Sequence, residues 1–231
     1  MSGVTNELIK KAEKISKNFP NSERDVLLST GEQMASALIA GKLCDLGFNS
    51  RSWMSWQIPI ITRGNYSSAR IVKIGTDHLK RYLKKGGTPI ITGFQGLNKE
   101  SRLTTLERGG SDASAIMLAK FFKAKRCIIY TDVDGVYTTD PNLIKKAKKI
   151  KALSYEEMLE MSSLGAKVMQ PASIQDAKLN KVKIDVKSSF TNKTGTQIIG
   201  RKKIKDTNII RGVSFTCLLY TSPSPRDLST S

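Results

Sequence analysis

Arg108, Gly109, Gly110, Ser111 and Asp112 follow one another directly, with Thr104-Thr105-Leu106-Glu107 before them and an apolar run from Ala113 to Phe122 behind. Two glycines in a row admit φ angles closed to other residues and let backbone come close to a ligand. Ser111 or Asp112 is placed to cap a helix that continues through Ile116, Leu118, Ala119 and Phe122. A glycine loop feeding a helix N-terminus makes an anion site, because free N–H groups and the helix dipole point the same way. Arg108 adds a planar, permanently charged fork suited to carboxylate or phosphate. The same residues also describe an ordinary turn ahead of a core helix, since short glycine motifs are weak signals.

A second cluster runs Thr131-Asp132-Val133-Asp134-Gly135-Val136-Tyr137-Thr138-Thr139-Asp140-Pro141. Its three carboxylates first suggest a calcium loop. That pattern needs a Glu at position 143, where Leu143 stands. A nucleotide-binding loop fits better, with Asp132 and Asp134 toward ribose or Mg²⁺ and Tyr137 toward the base. A turn in which Asp merely suits the backbone stays open. Glu32, just after Gly31, and Lys167, after Gly165-Ala166, are the other charged candidates. Each is also favoured at its helix end by the dipole alone. His78 is the single histidine, so neither a Ser/His/Asp triad nor a His-rich metal site is available. Cys44, Cys127 and Cys217 match neither a zinc site nor a disulfide framework, which points to a reducing, cytosolic setting.

These residues need elements to position them. Thr5 to Lys17 reads as an amphipathic helix, with Leu8, Ile9, Ala12 and Ile15 on one face. Glu23 to Leu46 is a long helical pattern interrupted at Ser29-Thr30-Gly31 and ended by Gly47. Phe48 to Trp53 reads as a strand, and Trp56 to Tyr66 as irregular chain broken by Pro59 and Gly64. A helix over Gly75 to Lys85 and a strand over Thr88 to Thr92 lead to the glycine turn Gly93-Phe94-Gln95-Gly96. Arg126 to Tyr130 and Lys181 to Lys187 read as strands, and Pro171 to Asn180 as a helix. Ser154 and Glu157 form a capping box for a helix reaching Leu164. Strands alternating with helices imply a mostly parallel sheet covered on both faces, with ligands at the C-terminal ends of its strands.

The 231 residues suffice for one large domain or two small ones. No apolar run approaches the ~20 residues of a membrane helix, and no signal-peptide pattern is present. A net charge of +18 raises nucleic-acid binding, but the lysines are spread over many segments and not interleaved with aromatics. The densest run, Lys145, Lys146, Lys148, Lys149 and Lys151, reads as solvated surface. From Thr216 to Ser231 periodicity stops and prolines, serines and threonines take over, as in a disordered or artefactual tail.

Five motifs stand in one order: Ser29-Thr30-Gly31-Glu32-Gln33; Gly93-Phe94-Gln95-Gly96; Thr104 through Asp112; Thr131 through Pro141; and Ser154-Tyr155-Glu156-Glu157-Met158 through Gly165-Ala166-Lys167. Together they closely resemble the catalytic domain of the bacterial aspartate kinases, over about Met1 to Gly212. The resemblance implies the amino-acid kinase fold, a three-layer α/β/α sandwich with a mainly parallel sheet. It divides the chain into a catalytic domain over 1–212, lacking its N-terminal strands with their Lys-Phe-Gly-Gly motif, and a non-family tail over 213–231. The paired regulatory domains usual in the family are also absent. Glu107 stands where the family usually has Gly, and Asn142 where it has Arg.

The activity so implied is transfer of the ATP γ-phosphoryl group, with Mg²⁺, to the β-carboxylate of L-aspartate, the first step toward lysine, threonine and methionine. A carboxylate with a pKa near 3.9 needs no general base at pH 7; an anion must instead be brought against a polyanion. By the resemblance, Arg108 clamps the substrate α-carboxylate, Glu32 pairs with its α-ammonium, and Thr5, Gly109, Gly110 and Ser111 complete the site. Asp112 orients phosphate-binding lysines, and Lys167 neutralises phosphate charge. Tyr130, Thr131, Asp132, Val136, Tyr137, Thr138, Thr139, Asp140 and Pro141 line the nucleotide pocket. A cytoplasmic homo-oligomer, with no separate metal site and no nucleic-acid or membrane partner, is the accompanying expectation. A sister kinase acting on acetylglutamate, glutamate or a nucleoside monophosphate, a non-catalytic nucleotide-binding fragment and a basic nucleic-acid binder are the alternatives.

Overall fold

The computed structural model describes residues 3–107, 109–141, 143–165, 168–201 and 212–213. Its chain order is α1 (Val4–Ile15), α2 (Asn21–Asp45), β1 (Ser50–Trp53), β2 (Ile60–Arg63), β3 (Arg70–Ile74), α3 (Asp77–Lys84), β4 (Thr88–Ile91), β5 (Gln95–Leu97), β6 (Leu103–Thr105), α4 (Gly110–Phe121), β7 (Cys127–Thr131), β8 (Ala152–Ser154), α5 (Tyr155–Ser163), α6 (Pro171–Asn180), β9 (Ile184–Ser188) and β10 (Thr196–Ile199). Helices are interspersed with groups of two or three strands, and they pack over mostly parallel strands in the expected α/β/α arrangement. Among the described residues β1 and β4 form a parallel pair, β3-β2-β5-β6 one four-stranded sheet, and β7-β9-β10-β8 another. Four of the seven strand pairings are parallel, namely β1 with β4, β2 with β5, β7 with β9 and β8 with β10. The other three are antiparallel.

Two apolar cores share one helix. Ile58, Ile60, Ile71, Ile74, Leu79 and Leu106 centre the first, and Leu153, Met158, Ile174, Ile184, Val186 and Ile198 the second. Helix α4 feeds both, with Met117 in the first and Ile116 in the second. Each such fully buried side chain contributes about 1.5–3 kcal/mol, so α4 is held from both sides and its N-terminus has little freedom.

Three readings from sequence are corrected. Helix α2 runs unbroken through Ser29-Thr30-Gly31. The Ser29 and Thr30 hydroxyls donate to the carbonyls of Val26 and Leu27, each at 2.7 Å, so their hydrogen bonding stays within the helix. The stretch Trp56 to Tyr66 contains β2, for which Pro59 and Gly64 are flanks and not breaks. The capping of α4 also differs: its N-cap is Gly109, with no side-chain cap, so Ser111 and Asp112 sit inside the first turn. The reading of Thr216 to Ser231 as a tail falls outside the described residues.

Candidate functional site

The Gly93 turn and the loop from Thr131 each follow a parallel strand, while the Gly109-Gly110 turn follows β6, which is antiparallel to β5. Strand β4 leaves its partner β1 at Ile91 opposite Trp53 and enters the turn at Gly93. Phe94, left-handed at φ 66, donates its N–H to Ser114 Oγ at 2.9 Å and accepts from Leu106 N at 2.9 Å. The turn is thereby fastened to α4 and to the chain end of β6.

Gly109 and Gly110 are demanded by this packing. Gly109 has φ 79, and a Cβ there would run into the Gln170 side chain. At Gly110 a Cβ would come within 2.7 Å of both Leu106 Cβ and the Phe94 ring. Ser173 Oγ donates to the Gly109 carbonyl at 3.2 Å, anchoring the turn from α6. The first bond of α4 runs from Ala113 N to Gly109 O at 3.0 Å. The amides of Gly110, Ser111 and Asp112 precede it and carry no side-chain cap. Such amides, at the positive end of a helix, suit an anion. Ser111 is exposed beside them, and Asp112 is partly buried, with burial pushing its carboxyl upward.

Glu32 lies half-buried on α2, and burial raises its carboxyl as well. A carboxyl whose ionised form is disfavoured by burial is poised to accept a cationic partner. Thr5 is exposed in the first turn of α1. Arg108, Lys167 and Asn142 lie outside the described residues, and so does any account of where their side chains go.

The other loop leaves β7 at Thr131, opposite Ser188 of β9. Tyr130 and Asp132 are exposed, and the Thr131 hydroxyl donates to Asp132 Oδ1 at 3.0 Å. Val136 is buried; its N–H donates to Thr196 Oγ1 at 2.8 Å, and its carbonyl accepts from Ile150 N at 2.8 Å. Tyr137 pairs across to Lys149, and Thr138 exchanges bonds with Lys148. Thr139 is half-buried, and Asp140 and Pro141 are exposed. The Asp140 carbonyl accepts from Leu143 and Ile144.

Sequence reasoning missed two residues here. Lys149 does not belong to a solvated run: its Nζ lies 3.3 Å from Asp134 Oδ2 and donates to Thr194 O at 2.6 Å. Asp134 is thus taken up within the loop by Tyr137 and Lys149, and its carboxyl is lowered by both, the Tyr137 hydroxyl foremost. Thr196 is the second, its hydroxyl donating to the Ile150 carbonyl at 2.6 Å while it accepts from Val136. One Thr among three, Thr191, Thr194 and Thr196, ahead of Gln197-Ile198-Ile199 gives no sequence signal for that role. Cys127, in contrast, is inert: burial, with Asp112 and Asp185 adding, pushes its thiol up to about 11.

Among the described residues no group of three or more His, Cys, Asp or Glu is arranged to hold a metal, and no helix is long and apolar enough to cross a membrane.

A glycine-bearing helix N-terminus after the antiparallel strand β6 and a carboxylate loop after the parallel strand β7 mark this as an α/β protein with its chemical residues at strand ends. The chain belongs to the amino acid kinase family, whose pattern matches residues 1–188. Among curated proteins it is 43% identical to an aspartokinase of Geobacillus stearothermophilus over 215 residues, covering 93% of this chain and 53% of that one. It is 44% identical to an aspartokinase of Rickettsia felis over 218 residues, covering 93% and 54%. The chain therefore spans about half the length of these relatives. Among solved structures it superposes on E. coli aspartokinase III in complex with aspartate and ADP, with a TM-score of 0.75 at 30% identity, covering 85% of this chain and 45% of that one. The aspartate kinase of Synechocystis gives a TM-score of 0.75 at 34% identity, covering 91% and 34%.

Proposed function

We propose that this chain is the catalytic part of an aspartate kinase, transferring the γ-phosphoryl group of ATP to the β-carboxylate of L-aspartate to give 4-phospho-L-aspartate. One observation carries the reading. The uncapped amides of Gly110, Ser111 and Asp112 and the half-buried carboxyl of Glu32 offer opposite charge character, as the two ends of an amino acid require. Arg108 supplies the carboxylate fork and Ser111 a hydroxyl, with Thr5 contributing from α1. Relatives named aspartokinase at 43% and 44% identity support the choice of substrate.

In this reading the loop from Tyr130 to Pro141, with Lys167, takes the nucleotide. The residues present fit Mg²⁺ delivered with ATP, since Mg²⁺ prefers one or two carboxylates plus phosphates over a protein cage, and Asp132 is an exposed carboxylate in that loop. Bound Mg²⁺ would neutralise charge developing on the transferred group. Gly109 and Gly110 serve the anion through their backbone, and Asp112 orients the phosphate-binding lysines. No proton need be removed from the acceptor, so the protein's task is positioning and charge.

The same reading takes residues 1–212 as one catalytic unit. It is supported by Gly212, where a Cβ would stand 3.0 Å from both Met161 Cε and Thr138 O, so that the chain returns beside the nucleotide loop. A cytoplasmic homo-oligomer accompanies it. The test is ATP-dependent hydroxamate formation by the full chain. L-aspartate should support it, and acetylglutamate, glutamate and UMP should not. Turnover with one of those three in place of aspartate would overturn the substrate.

A further inference from the structure

Among the described residues, the most completely satisfied buried charge lies outside the motifs that carry the chemistry. Asp25, in the second turn of α2, has no solvent exposure. Its Oδ2 accepts the backbone N–H of Thr105 at 2.7 Å and of Ser67 at 2.9 Å. Its Oδ1 accepts the hydroxyls of the same two residues, each at 2.8 Å. Four donors thus meet the lone pairs of one carboxylate. Ser67 is left-handed at φ 65 in the connection between β2 and β3, and Thr105 ends β6. One side chain ties three separate pieces of chain.

The tie continues along one face of α2. At four-residue spacing come Ser29, whose carbonyl accepts from Gln95 Nε2 at 3.3 Å, and Gln33, whose Nε2 reaches Gln95 Oε1 at 3.2 Å. Apolar packing alone would tolerate a helix sliding or turning, because dispersion contacts are not directional. A buried polar stripe does not, since any slip strands donors and acceptors without partners. Glu32 lies seven residues beyond Asp25, about 10 Å along the axis. Thr105 lies just before Glu107 and the Gly109-Gly110 turn.

We propose that Asp25 is a positioning residue for the amino-acid half of the site. It sets the register of α2 against β6 and the Ser67 turn, and with it the separation between Glu32 and the anion-binding segment from Gly109 to Ser111. The proposal rests on the aspartate-binding reading above. It touches no nucleotide residue, so its effect is confined to one substrate.

The test is equilibrium titration of the full chain with L-aspartate and, separately, with ADP, for wild type, Asp25→Asn, Thr105→Val and Thr105→Ser. Asp25→Asn puts an amide nitrogen against two donors. Thr105→Val keeps the shape and the backbone bond and removes one hydroxyl, so it serves if Asp25→Asn does not fold. Both should weaken aspartate roughly tenfold or more, as displacements near 1 Å do, and change ADP less than about twofold. Thr105→Ser, which restores the hydroxyl, should match wild type. Undiminished aspartate affinity in a folded Thr105→Val or Asp25→Asn protein overturns the role, and so does equal weakening of both ligands, which is general damage. A wild-type chain that binds ADP but no aspartate overturns the functional reading itself. One that binds aspartate while its variants are indifferent overturns only the positioning role.

Discussion

Tyr137 donates its phenolic hydroxyl to Asp134 Oδ1 at 2.7 Å, three residues back along the same loop. Lys149 reaches the other oxygen and the Thr194 carbonyl. The carboxylate is therefore the clasp of the loop, whereas Asp132 and Asp140 are exposed. Lys149→Met should loosen the clasp while leaving the apolar stem in place. The ion pair is partly solvated, so its worth is modest. The expected result is a rise in the ATP KM of roughly three- to tenfold with the aspartate KM little changed. Steady-state kinetics in both substrates checks it, and an unchanged ATP KM would remove Lys149 from the nucleotide loop.

The same clasp has a pH signature. The Asp134 carboxyl is lowered in the folded protein, the Tyr137 hydroxyl being the main cause. A lowered carboxyl stabilises the fold in full above its unfolded pKa, near 3.9, and loses that contribution as pH falls through the folded value. Amide protection of residues 134–138 should therefore persist at pH 5 and decline below about pH 4. Tyr137→Phe should move the decline upward. Hydrogen exchange against pH reads this directly, and identical profiles in the two proteins would refute it.

Local rules were legible wherever the local signal and the packing agreed. The capping box forms as read, with Ser154 N to Glu157 Oε2 at 2.7 Å and Glu157 N to Ser154 Oγ at 3.1 Å. Helix α6 begins at Pro171 and ends at Asn180 as the sequence implies. Ser29-Thr30-Gly31 misled because a Ser-Thr-Gly triplet is a breaker only while its hydroxyls lack helical partners, and here the carbonyls of Val26 and Leu27 supply them. Asp25 was illegible because it follows Glu23 and Arg24 near a helix start, where an acidic residue is expected for the dipole alone. Its sequence signal was the four-residue spacing to Ser29 and Gln33, a polar stripe where periodicity searches look for an apolar one. Lys149 was hidden in a lysine run, and only the pairing of Tyr137 with Lys149 separates it from its exposed neighbours.

Gly110→Ala tests the close approach at the anion-binding turn. The added Cβ meets Leu106 Cβ and the Phe94 ring at 2.7 Å. Neither can yield freely, since Leu106 is buried and Phe94 is tied by its backbone at both ends. Overpacking of this kind costs about 1–3 kcal/mol, which lowers Tm by about 2–4 °C per kcal/mol in a chain of this size. A melting temperature equal to that of wild type would show that the turn has slack.

Arg108→Lys separates charge from shape. A lysine keeps the positive charge but cannot reproduce a bidentate fork. The aspartate KM should rise at least about tenfold with the ATP KM unaffected. Initial-rate kinetics at saturating ATP measures it, and an aspartate KM within error of wild type would remove Arg108 from the substrate carboxylate.

Glu32→Gln sets stability against function. Burial raises the Glu32 carboxyl above its ordinary value. A raised group favours the folded state below its unfolded pKa, near 4.3, and that contribution is lost as pH rises through the folded value. At pH 8, then, the wild-type chain holds an ionised carboxylate in a half-buried place with no substrate ammonium to answer it. Glutamine fills the same volume without the charge. The variant should melt at the same temperature as wild type or higher at pH 8, with the difference vanishing toward pH 4, while its affinity for aspartate falls about tenfold or more through loss of the ammonium partner. Thermal melts at the two pH values and aspartate titration supply both halves. A variant less stable than wild type at pH 8 would show that Glu32 is held by the fold for packing, and undiminished aspartate binding would remove it from the site.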